Sequence, residues 1–351
     1  MTKVKDQLIT EDYAIYNSDC MYVLPTLENE SVDLSVYSPP FAGLYEYSSD
    51  PHDMSNCETK EKFLEQYEFL IKEISRVTKS GRLTAVHCQD VLTNVTKNYL
   101  WDFPHEIIKI HEKYGMKFCN RITIWKEPLK VRLRTMVRSL MHKLIVEDST
   151  ECFTAQPDYV LIFKKSGENK VPVTHKKGLN VYPYFGANPI TPETYRSLKG
   201  LSVNLNGVGT NLDEYDEIWN NLLDKYENWD GDHKLNKASH IMWRRYASSV
   251  WDDIRNENVL SFKDGKEEDD EKHVHALQLD VIDRLVVLYS NPNEVVLTPF
   301  MGVGSEVYSP ISLGRKGIGI ELKDSYYKQA VKNLKTAKSR YFQGKNKTLF
   351  G

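Results

Sequence analysis

The sequence predicts an α/β protein: a mainly parallel sheet with helices on both faces, plus an inserted irregular region. Three observations carry that expectation. Strand-like and helix-like patterns alternate between residues 13 and 165. The same alternation returns after residue 272. Between them the chain is rich in Gly, Asn, Pro, Tyr and Lys and has weak periodicity. Residues 1–165 are therefore expected to form one half of a domain, 166–245 an insert, 246–338 the other half of the same domain, and 339–351 a loose surface tail.

Taken in order, YAIYNSDC at 13–20 reads as a short strand and a polar turn, and YVLPTLENESVD as a short helix and loop. An alternating, β-branched strand at 32–37 runs into Ser38-Pro39-Pro40-Phe41. In KEKFLEQYEFLIKEISRVTK, the residues Phe63, Tyr67, Leu70, Ile71, Ile74 and Val77 recur on one helical face. Ser80-Gly81 is expected to stop that helix, and RLTAVHC then reads as a buried strand. PHEIIKIHEKYG is a helix with Pro in its first turn and Gly at its end. RITIWKE and DYVLIFKK (158–165) are further strands. After a charged loop at 263–272 come an amphipathic helix (ALQLDVIDRLVVLYS), a strand (EVVLTPF), a helix (SEVYSPISLG), a strand (KGIGIEL) and a helix (DSYYKQAVKNLKTAK).

The 351 residues are 40% hydrophobic and 27% charged, which suits a large folded core. A net charge of -3 neither requires nor excludes a nucleic-acid partner, because local patches outweigh totals. Cys20, Cys57, Cys88, Cys119 and Cys152 are widely spaced with no CxxC pair, which argues against a zinc site and a disulfide scaffold. His273 and His275 have no further ligands near them in sequence, so no metal site is expected. MTKVKDQLITEDY has no apolar signal core and no window reaches a membrane span, so a cytoplasmic protein is expected.

EVVLTPFMGVGSEVY, 294–308, puts a glycine turn between a buried strand and a helix. Gly302 and Gly304 permit positive φ and close approach of a ligand, and the helix start behind them offers free N–H groups. Alone, the pair is equally compatible with a ligand-free turn. Glu321, however, ends the next strand, where an acid can accept hydrogen bonds from both hydroxyls of a ribose. The combination favours a nucleotide-type site. The dinucleotide fingerprint lacks its third glycine and no GK[ST] follows, so a phosphate-free, nucleoside-like ligand fits better. S-adenosylmethionine (AdoMet) has that form.

Ligands of an open parallel sheet sit beyond the carboxyl ends of its strands, which is where Ser38-Pro39-Pro40-Phe41 stands. The prolines fix φ and donate nothing, leaving the Ser38 hydroxyl and the Pro39 carbonyl as acceptors with Phe41 beside them. Such a group suits the exocyclic amine of a nucleobase. Two acceptors gripping its N–H bonds favour a tetrahedral nitrogen with an available lone pair, and Phe41 can stack on the base. An activated methyl donor then needs only positioning and electrostatics. In isolation SPPF reads as an ordinary proline turn; with a nucleoside site on the same sheet the catalytic reading is favoured.

These residues resemble the amino-group DNA methyltransferases, which methylate cytosine N4 or adenine N6 with AdoMet. The motif order is similar to their β subgroup, and the resemblance covers about residues 13–165 and 245–335. SPPF resembles the family's catalytic tetrapeptide and TPFMGVGSE its glycine motif. HVHALQLDVIDRLV resembles the helix that helps cradle AdoMet, and VWDDI at 250–254 the approach to it. The resemblance implies a Rossmann-like AdoMet-dependent methyltransferase fold whose insert is a target-recognition region. It implies that Ser38, Pro39, Pro40 and Phe41 hold the target base. It further implies that Thr298, Pro299, Phe300, Gly302, Gly304 and Ser305 lie against AdoMet, that Glu321 takes its ribose and that Asp19 lies near its adenine. His275 and Gln278 would belong to the start of the AdoMet-side helix. Two departures stand out: Thr298 replaces the family's usual Asp, and the helix start lacks the usual prolines.

Serine in the first position of SPPF is associated with cytosine-N4 enzymes, so cytosine N4 is expected, with adenine N6 the alternative. Cytosine-C5 chemistry needs a thiolate in a Pro-Cys pair, and no cysteine here follows a proline. The basic stretch KEPLKVRLRTMVRSLMHK offers Lys130, Arg132, Arg134, Arg138 and Lys143 for phosphate contacts, and MWRRY adds Arg244 and Arg245. The target base must be flipped out of the duplex, at a cost of roughly a few kcal/mol. The expected partner is double-stranded DNA, in a bacterial cell or phage-infected host. A homodimer, a cognate restriction enzyme, and a catalytically degenerate DNA-binding protein all stay open.

Overall fold

The computed structural model describes residues 4–40, 54–57, 59–94, 99–175, 243, 246–262, 265 and 276–346. Its strands are β1 (Asp6–Ile9), β2 (Tyr13–Asn17), β3 (Val32–Tyr37), β4 (Thr78–Cys88), β5 (Val91–Asn94), β6 (Tyr99–Trp101), β7 (Met116–Ile124), β8 (Asp158–Lys165), β9 (Val250–Trp251), β10 (Val295–Thr298) and β11 (Lys316–Glu321). Its helices are α1 (Cys20–Val23), α2 (Lys60–Val77), α3 (Phe103–Lys113), α4 (Pro128–Thr135), α5 (Lys143–Glu147), α6 (Leu279–Tyr289), α7 (Ser305–Ser312) and α8 (Asp324–Asn346).

Among the described residues one sheet runs β1-β2-β11-β10-β3-β4-β8-β7-β9, and β5 and β6 form a separate ribbon. The five strands from β2 to β4 pair in parallel. β8 runs antiparallel to both β4 and β7, so its beginning lies level with their ends. The period-2 pattern of the strands divides the core between two faces. Leu34, Val36, Val296, Val160 and Ile162 pack with Ile282, Leu285 and Val286 of α6 and Val307 of α7. Tyr37, Val86, Leu161, Phe163 and Leu297 pack on the other side with the Phe63, Tyr67, Leu70 and Ile74 stripe of α2 and Phe103 and Ile107 of α3. α2 starts where the Thr59 side chain accepts the Lys62 N–H, and α3 where Asp102 accepts that of His105.

Several expectations are corrected. α2 ends at Val77, not at Ser80-Gly81, because Thr78 is already paired with Val32 of β3. Gly81 instead sits inside β4 at φ +71, by the register shift opposite Val32 and Leu34. A Cβ there would fall 2.5 Å from the Asn169 backbone nitrogen, so the glycine admits the chain leaving β8. The third strand of the series starts at Met116, earlier than RITIWKE. The stretch read as a loose tail from 339 continues α8 through Asn346. β1, β9 and the β5–β6 ribbon are too short to stand out as patterns. The insert begins in an ordered way: Arg82, almost fully buried, donates to the Val171 carbonyl and pairs with Glu294, and Asn291 Nδ2 donates to the Pro172 carbonyl. Residues 176–242 lie outside the described residues.

Candidate active site

β10 and β3 are neighbours at the centre of the sheet, and the chain leaves them in opposite directions, β10 toward β11 and β3 toward β4. That is a topological switch point, the place where an open sheet parts to admit a ligand. Val296 pairs with Leu34 and Leu297 with Ser35. Continuing that register brings Phe300 level with Ser38. The Phe300 ring meets Tyr37 edge-on, 6.1 Å between centroids.

On the β10 side the site is mostly backbone. Gly302 (φ +53) and Gly304 (φ +98) turn the chain from β10 into α7. A Cβ on Gly302 would meet nothing within 4 Å, so this glycine faces open space; one on Gly304 would press on Ala330 at 3.2 Å, so that glycine serves helix packing. Glu321 organises the turn: its carboxylate accepts the Gly302 N–H at 2.8 Å and the Lys323 N–H at 2.9 Å. Its own carbonyl accepts the Ser18 N–H at 2.9 Å, which ties the end of β2 to that of β11. Asp19 follows directly and caps α1 by accepting the Met21 N–H. Gln278 stands at the N-cap of α6 without a capping bond.

These residues fit a nucleoside-type ligand such as AdoMet. Four buried polar atoms around the turn lack partners: Thr298 Oγ1, Ser305 Oγ, Asn17 Oδ1 and Gln278 Oε1. Such orphans cost free energy unless something completes them. Thr298 and Pro299 are buried at the strand end, while Phe300 and Gly302 are partly exposed. The expected contacts at His275 lie outside the described residues, as do those at Phe41.

On the β3 side the site is built from side chains of four separate segments. Pro39 is buried, and Ser38 and Pro40 are half-buried. The Ser38 hydroxyl lies 3.2 Å from His87 Nδ1, near the end of β4. His87 Nε2, buried, lies 3.2 Å from Asp158 Oδ2. Asp158 opens β8 and pairs through Oδ1 with Lys126 Nζ at 2.5 Å, just after β7. Burial alone would raise the Asp158 carboxyl; the Lys126 ammonium and His87 overcome it and hold the group well below the usual carboxylate range. Sequence reading missed this row. Its one signal was that His87 and Asp158 are polar residues at the rim ends of largely buried strands.

β7 runs in the same direction as β4, so the basic segment leaves the sheet at this same rim. Glu127 starts α4 by accepting the Leu129 and Lys130 N–H groups. Lys130, Arg138 and Lys143 are exposed, beside exposed Leu129, Leu133 and Met136. Lys130 pairs with Glu257 at 3.5 Å and Lys143 with Glu147 at 3.8 Å, both in solvent and worth little. Arg132 donates to Met136 Sδ. The Arg134 side chain, Arg244 and Arg245 lie outside the described residues.

The Gly302 turn and the Ser38-Pro39 strand end thus stand side by side at the switch point of a Rossmann-like sheet. The chain belongs to the DNA methylase family N6_N4_Mtase, whose profile matches residues 32–332. It is 24% identical over 319 residues to the type II methyltransferase M.BglII of Bacillus subtilis, covering 89% of this chain and 66% of that one. The chain thus spans slightly under two thirds of that relative. The fold is shared with the cytosine-N4-specific PvuII DNA methyltransferase at a TM-score of 0.56 and 12% identity, covering 98% and 96% of the two chains. It is also shared with a DNA modification methylase of Thermus thermophilus in complex with S-adenosyl-L-methionine, at a TM-score of 0.53 and 17% identity over 91% and 93%. No helix among the described residues is long and apolar enough to cross a membrane.

Proposed function

We propose that the protein is an AdoMet-dependent DNA methyltransferase acting on the exocyclic amino group of a flipped base, with cytosine N4 favoured over adenine N6. The observation that carries the reading is the adjacency of two ends: the Ser38-Pro39 end of β3 and the Gly302 turn after β10, on hydrogen-bonded neighbours. AdoMet, when bound, supplies an electrophilic methyl group. The chain's own residues do the rest. Glu321 accepts from the ribose hydroxyls, and Gly302 leaves room for the nucleoside. Ser38 Oγ and the Pro39 carbonyl accept the two N–H bonds of the amine, which leaves its lone pair free. Phe41 stacks on the base. The serine in SPPF and the fold shared with a cytosine-N4-specific enzyme support the choice of base.

Duplex DNA is the proposed substrate. Lys130, Arg132, Arg134, Arg138, Lys143, Arg244 and Arg245 would contact its phosphates, and residues 166–245 would read its sequence. A cognate restriction endonuclease is proposed from the type II class of the relative.

Nucleoside mass spectrometry of DNA from cells expressing the protein tests this, beside a Ser38→Ala control. N4-methylcytosine is expected, with transfer by the variant reduced about 10²–10³-fold and AdoMet binding retained. N6-methyladenine would keep the mechanism and overturn the base. Neither mark, together with no AdoMet binding by calorimetry, would sink the enzyme reading in favour of a degenerate binder.

A further inference from the structure

We infer that His87, held by Asp158 and Lys126, is a positioning residue that fixes the Ser38 hydroxyl as a hydrogen-bond acceptor toward the target amine. The inference rests on the proposed amino-methyltransferase function and deepens it.

A serine hydroxyl is ambiguous, since it can donate one hydrogen bond and accept two. To grip an amine N–H it must accept, so its own hydrogen has to point elsewhere. His87 Nδ1, 3.2 Å from Ser38 Oγ, offers a destination only if that nitrogen carries a lone pair. The neutral imidazole has one N–H and one lone pair, so the tautomer decides. Asp158 settles it. It is buried, and Lys126 on its other oxygen keeps it ionised. A lone pair at Nε2 facing that carboxylate at 3.2 Å would be repelled, whereas an N–H there is attracted. The hydrogen therefore sits on Nε2 and the lone pair on Nδ1. Ser38 donates to Nδ1, and its oxygen turns its lone pairs to the rim. A single lysine, three groups away, thus sets the direction of the hydrogen bond that meets the substrate.

The same row disposes of a proton. When the amine lone pair forms its bond to the methyl carbon, the carbon–sulfur pair stays on sulfur and the nitrogen is left with one proton too many. That proton passes to Ser38 Oγ as the Ser38 hydrogen passes to His87 Nδ1. The imidazolium so formed faces the Asp158 carboxylate.

Two measurements test this. The first is ¹⁵N NMR of the histidine ring in AdoMet-free protein, assigned by loss of the His87 signals in His87→Phe. Expected are an N–H type shift at Nε2 and a lone-pair type shift at Nδ1, with the Nδ1 signal moving in Ser38→Ala. An Nδ1–H tautomer would overturn the inference whether or not the protein is active. The second is kinetic. His87→Phe should lower kcat about 10²-fold with the AdoMet Kd and the DNA KM within about threefold of wild type. His87→Asn, which can still accept a hydrogen bond from Ser38 but cannot take up its proton, should recover about tenfold of that loss and not the whole of it. Wild-type kcat in His87→Phe, or no recovery in a folded His87→Asn, would refute it. A wild-type protein that methylates no DNA would instead overturn the functional proposal, and the tautomer would still be decided by NMR.

Discussion

Asp158 and Glu306 are each about 5% exposed and stand on opposite halves of the rim, yet they ionise in opposite senses. Asp158, beside Lys126 and His87, is held below the usual carboxylate range. Glu306, in the first turn of α7, is pushed up to about 8 by burial, and nearby Glu321 pushes the same way. Asp283 of α6 behaves similarly: burial pushes it up to about 7 even though Ser309 donates to it. Burial raises a carboxyl, and only a cation as close as Lys126 is to Asp158 reverses that. The β3 half keeps a fixed anion in a side-chain row. The β10 half relies on N–H groups, the half-buried acid Glu321 and buried acids raised well above the usual carboxylate range.

The contrast can be broken most forcefully at Glu321. If one carboxylate organises the backbone half, Glu321→Ala should weaken AdoMet binding about 10²–10⁴-fold by calorimetry, since it removes two charge-assisted hydrogen bonds worth about 1.5–3 kcal/mol each. A change below threefold would mean that the turn holds the ligand unaided. Next in size is Gly319→Ala. Its Cβ would fall 2.5 Å from Met301 Sδ and 2.6 Å from Val307 Cγ2, so the glycine turn and α7 must move off β11. Overpacking of that kind costs about 1–3 kcal/mol, read as a lower denaturation midpoint at unchanged m. An unchanged midpoint would show that the turn is loosely seated.

The smallest effect sharpens the comparison through pH. A raised Glu306 keeps in the fold a proton that the unfolded chain loses near 4.5. Its contribution is full below that pH and falls as pH rises toward about 8, by at most about 1.4 kcal/mol per pH unit. Glu306→Gln should therefore lose stability less steeply than wild type between pH 5 and 8 in urea titrations. Asp158 works in the other direction: its contribution is present above the usual carboxylate range and is lost as pH falls below it. Parallel slopes for wild type and Glu306→Gln would argue that Glu306 is ionised in the fold.

The two halves also differed in how readily the sequence disclosed them. TPFMGVGSE and KGIGIE are contiguous, and glycine spacing is itself a backbone statement, so the strand, glycine turn and helix of the β10 side could be read directly. Even the alternation of Gly317 and Gly319 has a reason visible only in space: both lie under Val307 of α7. SPPF was legible as a strand end. Its supports were not, because Ser38, His87, Lys126 and Asp158 meet only through the order β3-β4-β8-β7. An apolar stretch such as DYVLIFKK reads the same whichever way the strand runs. Nothing in it announced that β8 is antiparallel and so brings its first residue, not its last, to the rim.

The position of β10 has a consequence for synthesis. It pairs with β3 and β11 in the middle of the sheet, but among the described residues its own are made after every other strand except β11. A growing chain therefore carries β3, β4, β8 and β7 with one side of β3 unpaired, and β2 with only β1 beside it. Open edges of that kind invite pairing with other chains. The sheet closes only when residues 295–321 emerge, so the ribosome delivers the Gly302 turn and the central seam of the fold in the same closing stretch.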